Sequence, residues 1–252
     1  PDPLPESLVR EILDTARWSP SGGNVQPWKV IAVAGAARQA IVDLAKPALM
    51  ANPAGEEGDR PIYPEALWEP HRSYRYKVGE DMYALLNIPR EDKAARLMWL
   101  AQNYEFFGAP AALFFVIDRR MGHGQWAHLG MFMQSIALAA LEKGVSSCMQ
   151  ECWARLRDTL HAHFALPAHE MVYCGMALGF ANHFAGAGVK SFTPRTLPRA
   201  GTSTTRLAAN ATAKAKATSP APIGRVRPPS HPTIPRARVA ITNTGTCRMN
   251  SA

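Results

Sequence analysis

Acidic residues are absent from the last third of this chain. All 20 Asp and Glu lie at or before Glu170, while residues 171–252 hold 11 of the 28 Lys and Arg. The formal charge of +8 therefore does not describe the body of the protein. Residues 1–170 set 17 cations against 20 acids, a net of −3, and the basicity belongs to one end. Cysteine is scarce: Cys148, Cys152, Cys174 and Cys247 are too few for a disulfide-stapled extracellular domain of 252 residues. No apolar run approaches the ~20 residues of a membrane-spanning helix. Pro1 opens a polar stretch without the charged-then-apolar pattern of a secretory leader. Together these absences favour a reducing, cytoplasmic setting with no membrane partner. The chain does not begin with Met, so a processed or truncated product is expected.

Chemical signatures are missing as well. There is no Gly-rich dinucleotide fingerprint and no phosphate loop, and no Ser/His/Asp or Cys/His hydrolase pattern. Cys148 and Cys152 find no neighbours that complete a four-ligand zinc set. His161 and His163 are two apart on a predicted helix and diverge. No metal is expected.

What remains is an ordinary globular pattern, 47% apolar. Residues 6–17 carry helical periodicity between Pro3, Pro5 and Pro20, and 37–50 read as a second helix. The spacing predicts further helices over 90–107, 124–144 and 154–165. The 124–144 helix, apolar on most sides, is expected at the core or at a subunit interface. Continuous apolar runs predict buried strands at 28–34, 111–118 and 170–180, with a short one near 145–150. Residues 52–78 form a Pro-rich polar loop with Tyr63, Trp68 and Tyr74 interspersed, long enough to suggest a function. Two parts are expected: a folded domain over 1–197 and a basic low-complexity tail over 198–252. The tail lacks acids and aromatics and is read as largely disordered. Its charge could attract nucleic acid, but without interleaved aromatics or a folded motif no nucleic-acid partner is expected.

The stretch "RWSPSGGNVQPWKVIAVAG" crowds small, amide-exposing residues against a strand. Alone it reads as a turn. Together with "NYEFFGAPAALFFVIDRRMGHGQWAHLGMFMQSIALAALEKGVSSCMQECW" (103–153) and "EMVYCGMALGF" (170–180), it resembles the nitroreductase family. That resemblance implies an α+β fold with a mixed, mainly antiparallel sheet flanked by helices, in an intertwined homodimer. It implies FMN as cofactor, NADH or NADPH as reductant, and ping-pong transfer of hydride through flavin N5 to an electron-poor nitroaromatic or quinone-like acceptor.

Residue by residue, the resemblance assigns Pro20, Ser21, Gly22 and Asn24 to a loop that meets the flavin from the second subunit. Asn103 matches a residue that hydrogen-bonds the polar edge of the ring. Met149 and Gln150 lead into Glu151 and Cys152, which match a catalytic pair whose second backbone N–H points at N5. Arg195, with Lys190 as a second choice, matches a basic residue at the phosphate, and Trp68 and Tyr74 are substrate-lid candidates. Physical reasoning agrees: fixed donors beside the ring tune its hydride affinity, and small residues let backbone amides approach it.

The chain also departs from the family pattern. It starts after an Arg-x-Ser-x-Arg run that helps bind FMN, and a basic tail replaces an acidic, aromatic ending; a frameshift or recombined gene end would produce such a tail. Met149 replaces a common Pro, Phe106 replaces a Lys found near the flavin in some relatives, and His128 stands where acids are frequent. Dehalogenation, flavin breakdown and a degraded paralogue that binds FMN poorly remain alternative readings.

Overall fold

The structure is a computed structural model. It describes residues 2–181 and the backbone of 238–241 and 246–250. Its centre is an antiparallel sheet. Strands β1 (Lys29–Ala34), β2 (Ala111–Asp118), β3 (Ser146–Gln150), β4 (Glu170–Gly179), β5 (Arg238–Ile241) and β6 (Thr246–Asn250) take the order β3-β4-β2-β1-β6-β5. Every described pairing is antiparallel.

Strand β2 explains why the sequence shows apolar runs rather than alternation. Side chains on a strand point alternately to its two faces. Leu113, Phe115 and Ile117 join one core cluster, and Ala112, Phe114 and Val116 join another, so both faces are covered. On the first face lie α1 (Glu6–Ala16) and α5 (His123–Glu142), which contribute Ile12, Leu13, Leu129, Phe132 and Ile136. On the second face lie α2 (Gly35–Ala51) and α6 (Arg157–His163), with Ile41, Val42, Leu160 and the buried Phe106 and Trp153. Helix α5 stops at Gly144, whose φ of +73° suits glycine. There Gly144 N–H donates to Leu141 O and Val145 N–H to Ala140 O, a Schellman ending that turns the chain directly into β3.

Three expectations are corrected. The polar loop does not run to residue 78. Helix α3 (His71–Leu85) begins inside it, and its single buried residue, Tyr83, gives little apolar periodicity to read. The long helix expected over 90–107 is α4 (Lys93–Ala101), capped by the Asp92 carboxylate on Ala95 N–H, followed by a tighter 3-10 segment over Gln102–Gly108. The helix expected over 154–165 is a 3-10 turn, Glu151–Leu156, leading into the shorter α6. Within 198–252, strands β5 and β6 pair with each other, and β6 pairs with β1 from Val30↔Met249 to Val33↔Thr246. The rest of 198–252 lies outside the described residues. No described helix is long and apolar enough to cross a membrane.

Candidate active site

The loop between α1 and β1 is shaped by left-handed backbone. Gly22–Asn24 form one 3-10 turn, and Gly23, Asn24 and Gln26 have φ of +60°, +54° and +50°. Glycine and asparagine are the residues that adopt this region most readily. The loop is tied internally: Gln26 N–H donates to Ser21 Oγ at 2.9 Å, and Gln26 Nε2 to Asn24 Oδ1 at 3.0 Å. Asn24 thus spends its carbonyl oxygen inside the loop, and its amide hydrogens remain for another acceptor. Gly22 rests against α5, where a Cβ would come within 3.1 Å of His128 Cε1. Pro20, Gly22 and Asn24 are exposed.

A second group forms where β3 ends. Gln150 is 1% exposed, a burial that an amide side chain tolerates only with partners, and both ends are satisfied. Its Nε2 donates to Asn103 O at 2.8 Å, and its Oε1 accepts from Trp153 Nε1 at 3.3 Å. Trp153 is wholly buried, stacked on Phe106 at 4.6 Å between ring centres. One side chain therefore fixes both the backbone of Asn103 and the turn holding Glu151 and Cys152. The Asn103 amide donates to Leu100 O at 2.9 Å, and Cys152 O accepts the Tyr104 hydroxyl at 3.3 Å. The first N–H groups of a helical turn have no partner inside it, so the 151–152 backbone is a ready donor pair. Exposed Met149 precedes it.

Asn103 owes its position to a strained corner. Phe106 and Phe107 have φ of +54° and +50° in succession, which costs a bulky residue about 1–2 kcal/mol each. The corner drives Phe106 to full burial against Trp153 and Phe114. Phe106 is thus a core residue.

The thiols here are not nucleophiles. Burial holds the Cys152 thiol far above its ordinary range and pushes Cys174 up to about 12. Burial takes the Tyr104 hydroxyl to about 12. These three groups stay protonated at neutral pH. Among the described residues no His, Cys, Asp and Glu cluster suits a metal ion. Carboxamides and backbone amides, with no activated nucleophile, suit the holding and polarising of a planar polar ring more than covalent catalysis. The residues present fit the ring edge of FMN on that ground.

The expected site residues are thus partly assembled. Asn103, Gln150, Glu151 and Cys152 come together. The Pro20–Asn24 loop is joined to them by no hydrogen bond, ion pair or ring contact among the described residues. Trp68 and Tyr74 are exposed, each edge-on to His71, and line no described cavity. The described apolar cavity, about 160 Å³ between α1 and strands β1 and β2, lies among other residues, including Leu4, Leu13 and Ala112. Lys190 and Arg195 lie outside the described residues. Sequence reasoning missed Arg60, which donates to Glu151 Oε1 at 3.1 Å and to Tyr173 O at 3.2 Å. An arginine in a polar loop carries no signal that separates it from a solvated charge.

Comparison with known proteins agrees with this architecture. The model of the Nitroreductase family matches residues 1–180. A nitrobenzene nitroreductase of Ectopseudomonas oleovorans is 35% identical over 72% of this chain and 80% of its own. A 4-nitrobenzoate reductase of Pseudomonas putida is 33% identical over 72% and 79%. Among solved structures, the FMN and NADPH-dependent nitroreductase NfnB from sphigopyxis sp. strain HMH superposes with a TM-score of 0.70. It is 40% identical over 72% of this chain and 81% of its own. The chain belongs to the nitroreductase family.

Proposed function

We propose that this chain is an FMN-dependent oxidoreductase that uses NADH or NADPH to reduce nitroaromatic or similarly electron-poor acceptors. The observation that carries the reading is the Gln150 junction, which sets Asn103 and the 151–152 amides beside each other at the end of β3. The similarity to nitroaromatic reductases supports the substrate class. When bound, FMN supplies the hydride carrier between nicotinamide and acceptor. Asn103 holds the polar edge of the ring, the Glu151–Cys152 backbone presents fixed N–H donors, and the protonated Cys152 thiol fills space.

A homodimer completes the site. The Pro20–Asn24 loop of one copy faces the Asn103 group of its mate, which accounts for their lack of contact within one chain. Exposed apolar side chains on α5, Met131, Leu138 and Leu141, support such a partner. Lys190 and Arg195 serve the phosphate, and Trp68 and Tyr74 border the acceptor. The unpaired Cys148, Cys152 and Cys174 suit a cytoplasmic setting.

The test is to add FMN to the purified chain and measure flavin absorbance, fluorescence quenching and NAD(P)H-dependent reduction of nitrobenzene. Near-stoichiometric flavin and turnover are expected. Asn24→Ala and Asn103→Ala should each weaken FMN by about 1 kcal/mol, one hydrogen bond's worth. A chain that takes up no flavin refutes the function, and unchanged affinity in both variants refutes the site.

A further inference from the structure

Residues 52–60 form a strap across the 151–159 region. Arg155 donates to Pro53 O at 3.0 Å, and Glu56 N–H donates to Arg155 O at 2.7 Å. The Glu56 carboxylate accepts the N–H groups of Asp158 and Thr159. Asp59 pairs with Arg119 and, at 3.7 Å, with Arg157. The strap ends on Arg60, whose side chain is 11% exposed. Its guanidinium lies 4.1 Å over the Tyr173 ring and bonds Tyr173 O and Glu151 Oε1. Its Nε is buried without a partner.

A surface ion pair contributes little because water screens both charges. This pair is different: the cation is almost out of water, while Glu151 remains 41% exposed. The Tyr173 ring and carbonyl hold the cation independently of Glu151. Taking an arginine out of water is costly unless its charge is used. Resting on the proposed function, we propose that Arg60 is a positioning residue that fixes the Glu151 carboxylate and cancels its charge beside the cofactor ring. A reduced flavin gathers negative charge, so an uncompensated carboxylate next to it would oppose reduction. With Arg60 in place, the 151–152 amides face the ring as donors without that opposing field.

The experiment uses the full chain loaded with FMN and compares midpoint potentials of wild type, R60Q, R60K and R60Q/E151Q. R60Q should move to a more negative potential, by about a tenfold change in the reduced-to-oxidised ratio, or about 30 mV for a two-electron couple. R60K, which keeps the charge, should stay near wild type, and R60Q/E151Q should return towards it. In FMN-free protein, amide hydrogen exchange over 150–156 should quicken in R60Q. An R60Q potential equal to wild type overturns the proposal, as does a double variant as negative as R60Q. Faster exchange with no shift in potential makes Arg60 a structural tie only, which also overturns it. Should R60Q not fold, E151Q alone decides: the potential must rise, since a lone cation then remains, and no rise overturns the proposal. A wild-type chain that takes up no FMN refutes the proposed function before any variant is compared, and this proposal falls with it.

Discussion

Replacing Gln150 by Met nearly preserves side-chain volume and removes both of its hydrogen bonds. Asn103 O loses its donor at 2.8 Å, and Trp153 Nε1 loses its acceptor at 3.3 Å. An orphaned buried polar group costs about 1–3 kcal/mol. Asn103 is part-exposed, so water can reach its carbonyl and the lower end applies. Trp153 is 0% exposed, so its N–H falls nearer the upper end. Allowing about 1 kcal/mol for the more apolar side chain, Gln150→Met should destabilise by about 2–3 kcal/mol. At this chain length that lowers Tm by roughly 4–12 °C. Urea unfolding followed by tryptophan fluorescence, at fixed protein concentration, measures it. Trp153→Phe deletes the orphaned N–H, so Gln150→Met should cost about 2–3 kcal/mol less in that background. A loss under about 0.5 kcal/mol, or strict additivity in the cycle, would refute the reasoning that Gln150 joins the two segments.

Gly175→Ala would place a Cβ 2.4 Å from Trp153 Cδ1, and Trp153 is walled in by Phe106 and Phe114. A loss of about 3 kcal/mol is expected in the same unfolding assay. Gly22→Ala meets His128 at 3.1 Å, but that ring is half-buried and can yield. Its stability should fall by under about 1 kcal/mol while flavin retention declines, and His128→Ala should restore retention in a binding titration. The weakened acidities give an alkaline limb: burial raises Cys174 and Tyr104 to about 12 when folded, against ordinary values of 9.0 and 10.0. The unfolded chain then releases these protons first, so their stabilisation is full below pH 9 and is lost as pH rises towards 12. Urea midpoints from pH 8 to 10.5 should fall, and the fall should be shallower in Cys174→Ala.

Where packing is symmetrical about the sheet, the sequence was enough. Strands β1, β2 and β4 announce themselves because strands covered on both faces must be apolar at nearly every position, and helix α5 by an apolar character that extends to the exposed Met131, Leu138 and Leu141. Helix α3 did not, since an element that buries Tyr83 alone has no periodicity to display. The break after α4 was hidden for another reason. Nothing local in "QNYEFFG" demands it, and the left-handed corner persists because Phe106 finds its place against Trp153. At the candidate site, Asn103, Glu151 and Cys152 were proposed through family likeness, whereas Arg60 stands out only through its burial against Tyr173, which no linear pattern records.

The Phe106–Phe107 corner sets an order of failure. Its backbone holds an unfavourable shape through contacts with Trp153, itself latched by Gln150. Whatever loosens that tryptophan also frees the corner to relax, and Asn103 leaves with it. Damage to the interior should therefore erase the proposed cofactor grip before the sheet itself gives way.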